Sequence, residues 1–258
     1  MAEGSRRVLL IGSAVGQSLS AAFQNAGFQA AGIDCRYQPI DVEANSLPRL
    51  IDDIRRDRGV LGANVTIPHK QAVLPLLDEI DPGANRIGAV NTISRVDSGL
   101  KGWNTDGQGF EAALEELRFE VSGKVAAVVG AGGAARAVVA SLLHRADRIY
   151  VVNRSLRRAE ELCRELGVER GGPASFAELA RVASIASLVV NATPADLPFA
   201  ASIVSPRLYF DLRSRKSNSG RLMLLHQGLA AFEIWTGRPA PAAVMRAALK
   251  RAAEAAVA

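Results

Sequence analysis

The feature that most constrains this chain is one junction. Val125-Ala126-Ala127-Val128-Val129 has no polar residue, which suits a parallel strand covered on both faces. It runs directly into Gly130-Ala131-Gly132-Gly133-Ala134-Ala135, and residues 133–143 then pattern as a helix. Gly130, Gly132 and Ala135 fit G-x-G-x-x-G/A. Gly130 permits a tight turn, Gly132 lets the backbone approach a pyrophosphate, and Ala135 lets the helix pack close to the sheet. Phosphates at this turn would meet free N–H groups at the positive end of the helix. A glycine pattern alone is weak, but strand before and helix after are the context a dinucleotide site requires. The loop 130–134 is therefore expected to hold a dinucleotide.

The next strand selects the cofactor. It is expected over residues 149–152, roughly 20 residues past the glycines, where an NAD site places an acid on the ribose 2′-hydroxyl. Here stand Asn153, Arg154 and Ser155, with Arg157 and Arg158 beyond. No carboxylate repels a 2′-phosphate, and guanidinium groups are present to bind one. NADP is the expected cofactor. Arg157 reads more simply as a solvated charge at a helix start.

The remaining elements alternate. Strands are expected at 8–11, 32–42, 60–67, 89–96, 187–190 and 208–212. Helices are expected at 18–26 (stopped by Gly27), 47–54, 71–80 (weakened by Pro75), 109–117, 156–166 (capped by Ser155, closed by Gly167) and 242–256. Such alternation implies parallel sheets with crossover helices. The fold class is α/β with two domains. Residues 1–106, completed by a C-terminal helix over 238–258, form an α/β substrate domain. Residues 107–237 form a Rossmann-type, doubly wound NADP domain.

The 258 residues suffice for two domains with real cores. The net charge of +5 favours anions, but the arginines are scattered, so no nucleic-acid stripe is read. No run approaches ~20 apolar residues, so no membrane span is expected. The run 8–11 is too short for a signal-peptide core. Cys35 and Cys163 lack metal-type spacing, and His69, His144 and His226 form no ligand group, so no metal is expected. The default location is the cytoplasm.

Three motifs precede the glycine loop: Asn64-Val65-Thr66-Ile67-Pro68-His69-Lys70, Gly88-Ala89-Val90-Asn91-Thr92 and Asn104-Thr105-Asp106-Gly107. They place amides and hydroxyls at strand ends, which suits a polyhydroxylated ligand. One lysine and one aspartate lie among them. Such a pair can move a proton to or from an alcohol during hydride transfer.

At these residues the chain resembles the shikimate dehydrogenase family over nearly its whole length. The three motifs are similar to that family's NVTxPxK, GAVNT and NTDG. Residues 130–135 match GAGGAA, 153–155 resemble NRT, and Asn191-Ala192-Thr193-Pro194 matches NATP. Gly220 with Met223, Leu224 and Gln227 resembles GxxMLxxQ, and residues 232–237 resemble FExWTG. The resemblance implies that Lys70 is the acid/base residue and that Asp106 is its partner. It implies substrate contacts at Asn64, Thr66, Asn91 and Gln227, with Ser18 and Ser20 on the carboxylate. It places the cofactor at Gly130, Ala131, Gly132, Gly133, Ala134, Asn153, Arg154, Ser155, Arg158, Thr193 and Gly220. The expected substrate is a small anionic cyclohexene or cyclohexane carboxylate, bound in a cleft between two domains of a monomer or homodimer. For Ser18 and Ser20, a helix N-cap role competes with substrate binding.

Three segments depart from the family pattern. Both serines of the first motif stand at Ser18 and Ser20, but its prolines and histidines are gone. After Pro194 the sequence reads Ala195-Asp196-Leu197, which sets a carboxylate near the expected nicotinamide side. Asp211 leads through Arg213, Ser214, Arg215 and Lys216 straight to Gly220, with Ser214 at the position of the family's pocket tyrosine and about a helix of chain missing. These changes keep open a quinate or aminoshikimate dehydrogenase, or a non-catalytic binder that retains the fold.

Overall fold

The computed structural model describes residues 6–198 and 207–256. The chain divides into two compact units, residues 1–105 with 224–258, and residues 106–223.

The first unit is built on a six-stranded sheet. Its strands are β1 (Arg6–Gly12), β2 (Cys35–Asp41), β3 (Val60–Val65), β4 (Glu79–Ile80), β5 (Thr92–Val96) and β6 (Gly99–Trp103), in the order β2-β1-β3-β5-β6-β4. This sheet is mixed, not parallel as expected: β5 is antiparallel to both β3 and β6. Asp97 and Ser98 alone separate the paired residues Val96 and Gly99, and two residues make a hairpin but cannot make a crossover. The helix expected over 71–80 is absent. Pro75 cannot donate to a helical ladder, and the Asp78 and Asp81 amides instead donate to the Leu100 and Gly102 carbonyls of β6.

Side chains of β1 alternate between two cores. Val8 and Leu10 face α1 (Ser20–Ala30), the second half of α8 (Asn218–Thr236) and α9 (Ala242–Ala255), whereas Leu9 and Ile11 face α2 (Leu47–Arg56). A short helix, α3 (Pro82–Ile87), is capped by the Asp81 carboxylate. Gly27 does not stop α1. A Cβ there would lie 2.9 Å from the Met245 sulfur of α9, so this glycine is a packing site inside the helix.

The second unit carries five parallel strands in the order β11-β10-β7-β8-β9: β7 (Val125–Val129), β8 (Arg148–Asn153), β9 (Gly171–Ser175), β10 (Leu188–Asn191) and β11 (Leu208–Asp211). Ala126 and Val128 belong to the core with α4 (Asp106–Glu116), α5 (Gly133–Leu142) and α6 (Leu156–Leu166), while Ala127 and Val129 belong to the core with α7 (Leu179–Ile185). Both faces of β7 are thus covered, as its all-apolar sequence requires. Gly167 closes α6 in the left-handed region at φ 73°, but Ser155 makes no side-chain cap bond.

The division falls inside α8. Residues 224–237 group with the first unit, not with the second as expected, because Leu225, Ala231, Phe232 and Trp235 fill the core shared with α1 and α9. The Trp235 indole donates to the Ile93 carbonyl of β5 at 2.9 Å. Among the described residues no helix is long and apolar enough to cross a membrane.

Candidate active site

Strand order brings the three polar motifs of the first unit to one end of its sheet. Asn64, at the end of β3, pairs in register with Thr92, at the start of β5, and Thr92 pairs with Trp103, at the end of β6. The loops after β3, before β5 and after β6 therefore meet. At their centre is Asn91, which is buried. Its Oδ1 accepts from the Thr105 amide at 2.8 Å and the Thr92 hydroxyl at 3.0 Å. Its Nδ2 donates to Thr105 Oγ1 at 2.9 Å and Gln227 Oε1 at 3.3 Å. The Asn64 amide donates to the Asn91 carbonyl and Thr92 Oγ1, both at 3.1 Å, and its Oδ1 accepts from the Tyr37 hydroxyl at 2.8 Å. Burial pushes the Tyr37 phenol far up, with a hydrogen bond from Ser20 opposing it. Tyr37 thus stays a neutral donor.

Asn64, Asn91 and Gln227, each expected to contact substrate, are brought together in one hydrogen-bonded cluster. Tyr37, Thr92 and Thr105 join them, and sequence reasoning assigned these three no role. Two of them sit inside the quoted motifs, but only the register shows that they face Asn91. Lys70 and Asp106 are each one step from the hub. The Lys70 carbonyl accepts from the Val90 amide at 2.8 Å, and Asp106 directly follows Thr105. Lys70 is half-buried and Asp106 is buried. Thr66 is half-buried in the loop after β3, where its amide donates to the Ile11 carbonyl at 2.8 Å. Ser18 Oγ accepts from the Ser20 amide at 3.2 Å in the turn leading into α1, whose N-cap residue, Leu19, offers no side-chain cap bond. Ser20 is buried beside Tyr37. Among the described residues the only buried side-chain polar atom without a partner is Gln24 Oε1.

In the second unit the chain leaves β7 for β8 on one side and β10 lies on the other, so the carboxyl ends of β7 and β10 form the topological switch point where open α/β sheets bind ligands. The glycine loop sits there. Gly130 is at φ 118°, a conformation L side chains rarely adopt, and a Cβ on it would lie 3.0 Å from the Ala192 carbonyl oxygen. A Cβ on Gly132, the N-cap of α5, would meet nothing within 4 Å. Ala131, Gly133 and Ala134 complete the turn into α5, whose first amides have no side-chain cap at Gly132. This open, uncapped helix start fits a pyrophosphate.

Beyond β8, the Asn153 side chain holds its turn by donating to the Ser155 carbonyl at 3.0 Å. Arg154, Ser155 and Arg158 are exposed, and neither arginine side chain has a partner among the described residues. Arg157 instead pairs with Glu161 at 3.5 Å along α6. A 2′-phosphate fits this cationic, acid-free strand end. Thr193 Oγ1 is turned inward to Asn191 Oδ1 at 2.8 Å. Gly220 has a packing role: a Cβ there would lie 2.7 Å from the Asp211 carbonyl oxygen.

Comparison with known proteins adds the lineage. Residues 10–93 match the model of the shikimate dehydrogenase substrate binding domain, residues 111–207 that of shikimate / quinate 5-dehydrogenase, and residues 220–250 that of the shikimate 5′-dehydrogenase C-terminal domain. The shikimate dehydrogenase (NADP(+)) of Desulforamulus reducens is 40% identical over 273 residues, covering 94% of each chain. That aligned span exceeds the 258 residues present here, so the relative carries segments that this chain lacks. The structure of shikimate 5-dehydrogenase from Thermus thermophilus in complex with NADP(H) and shikimate is 32% identical, with a TM-score of 0.82 and coverage of 96% of this chain and 99% of that one. Quinate dehydrogenase from Corynebacterium glutamicum in complex with NAD is 29% identical, with a TM-score of 0.83 and coverage of 96% and 99%.

Proposed function

The chain belongs to the shikimate dehydrogenase family, and from that premise we propose that it is an NADP(H)-dependent oxidoreductase interconverting shikimate and its 3-dehydro ketone. One observation carries the reading most. The buried Asn91 follows Val90, whose amide donates to the Lys70 carbonyl, and accepts from the amide of Thr105, one residue before Asp106, which supports the roles given to Lys70 and Asp106.

In this mechanism, Lys70 Nζ takes the proton from the reacting hydroxyl during oxidation and returns it during reduction. Asp106 pairs with Lys70 and accepts from a ring hydroxyl. Asn64, Asn91 and Gln227 orient the remaining hydroxyls, and Thr66 closes the same edge. Ser18 and Ser20 hold the carboxylate. Gly130 to Ala134 cradle the pyrophosphate, Asn153, Arg154, Ser155 and Arg158 hold the 2′-phosphate, and Thr193 and Gly220 shape the cofactor's other end. When bound, the cofactor takes up or supplies the hydride. The scattered positive charge suits a small anionic substrate rather than nucleic acid. The protein acts in the cytoplasm as a monomer or homodimer.

Ser214, which stands where the family's pocket tyrosine is expected, and the shortened segment after Asp211 favour a second substrate, quinate or aminoshikimate. The test is cofactor reduction, followed by absorbance, with NADP+ or NAD+ against shikimate, quinate and aminoshikimate. Turnover of shikimate with NADP+ preferred supports the first reading. Binding of NADPH without turnover of any ring acid sinks both, and equal rates with NAD+ overturn the role given to Arg154.

A further inference from the structure

The segment where the chain departs most from its family carries a structure of its own. Asp211, at the end of β11, has a side chain only 6% exposed. A buried carboxylate needs a partner, and Arg213 supplies one in fork geometry. The Arg213 Nε donates to the two Asp211 oxygens at 2.8 and 3.0 Å, Nη2 pairs with Oδ2, and the Arg213 amide donates to Oδ1 at 3.0 Å. The remaining Nη1 points to a different strand end. It donates to the Pro194 carbonyl at 3.3 Å and pairs with Asp196 Oδ1 at 2.7 Å. Lys216 adds a second contact to Asp196 at 3.0 Å. The base of this clamp is rigid, because Gly220 admits the Asp211–Ser214 backbone and Ser217 and Ser219 bond the Asp211 main chain.

The clamped turn, residues 192–196, follows β10 at the switch point. Asn191 pins it from within by donating to the Ala195 carbonyl at 2.8 Å, and Thr193 Cγ2 would lie 3.3 Å from a Cβ on Gly130. The turn therefore walls the side of the glycine loop opposite to β8, where the 2′-phosphate residues sit. The Asp196 carboxylate, which the sequence sets near the expected nicotinamide side, has its charge engaged by two cations.

We propose that Arg213 is a positioning residue: by clamping residues 192–196 to the end of β11 it holds the wall that receives the nicotinamide half of the dinucleotide. The inference rests on the NADP reading, and its test separates the two. NADPH and the adenosine half-cofactor (2′-phospho-ADP) are titrated into wild type, Arg213→Ala and Arg213→Lys, and amide hydrogen exchange is followed over residues 191–197 without ligand. Arg213→Ala is expected to speed exchange there and to weaken NADPH by about tenfold while the half-cofactor stays within about twofold. Arg213→Lys, which keeps the charge but loses the fork, should recover part of the NADPH affinity. Equal weakening of both ligands, or unchanged exchange, overturns the proposal. Failure of the wild type to bind either ligand overturns the NADP reading, and the exchange arm still decides whether Arg213 holds the turn.

Discussion

Replacing Asn91 with leucine removes the hub while keeping its shape. The backbone partners remain, because the Asn91 amide still reaches the Trp103 carbonyl and its carbonyl still accepts from Val65. The Thr92 and Thr105 hydroxyls lie 3.4 Å apart and can turn to each other. The Thr105 amide has no such alternative once Oδ1, at 2.8 Å, is gone. One stranded buried N–H costs about 1–3 kcal/mol, and two lost neutral hydrogen bonds about 1 kcal/mol each. Burial of the apolar leucine offsets part of this, leaving about 3 kcal/mol of destabilisation. For a unit of this size that lowers the melting midpoint by roughly 10 °C. Both tryptophans, Trp103 and Trp235, belong to the first unit, so their fluorescence reports on it directly. Turnover of shikimate should fall with the midpoint, while affinity for the adenosine half-cofactor should not change. A midpoint shift below about 2 °C would refute the reasoning, because a stranded buried amide cannot cost so little.

Other outcomes follow from single contacts. Arg154→Gln should raise the KM for NADP+ by about 10- to 100-fold and leave that for NAD+ nearly unchanged, read from initial rates with each cofactor. Arg95 donates to the carbonyls of Ile54 and Arg55 in the last turn of α2, of Asp57 at its C-cap and of Val60 at the start of β3, so Arg95→Met should cost about 2 kcal/mol in urea unfolding. The Leu100 amide, at 2.8 Å, and then Arg55 hold the Asp78 carboxyl below its usual range against a smaller opposing effect of burial. A lowered folded pKa contributes stability above the unfolded value and loses it as pH falls. Wild type should therefore exceed Asp78→Asn at neutral pH, with the gap closing below about pH 4 in acid unfolding curves.

Legibility follows how local each determinant is. The β7 strand, its glycine turn and α5 are readable because a fully buried central strand must be apolar throughout and a pyrophosphate turn must be glycine-rich. Strand β9 is hidden because Gly171, Gly172 and Pro173 read as loop, and proline is tolerated there only because β9 is an edge strand. Helix α8 is hidden because it is apolar on more than one face: Leu222 and Met223 enter the core of the second unit, and Phe232 and Trp235 that of the first. No single stripe marks such a helix. In the site, Asn64, Asn91 and Gln227 are legible from their motifs. Tyr37 is not, since its distance in sequence from Asn64 gives no hint that β2 and β3 flank the same strand, β1. Arg213 reads only as added positive charge, and its tie to Asp211 and Asp196 emerges from the pairing of β10 with β11.

The most direct test of the account is the rate of NADPH formation from NADP+ and shikimate by wild type and Lys70→Ala, with NADPH binding measured on both. The account predicts turnover by wild type and a loss of about 10²- to 10⁴-fold in the variant, with NADPH affinity retained. A variant within a few-fold of wild type would show that Lys70 does not move the proton, and the proposed chemistry would fall with it.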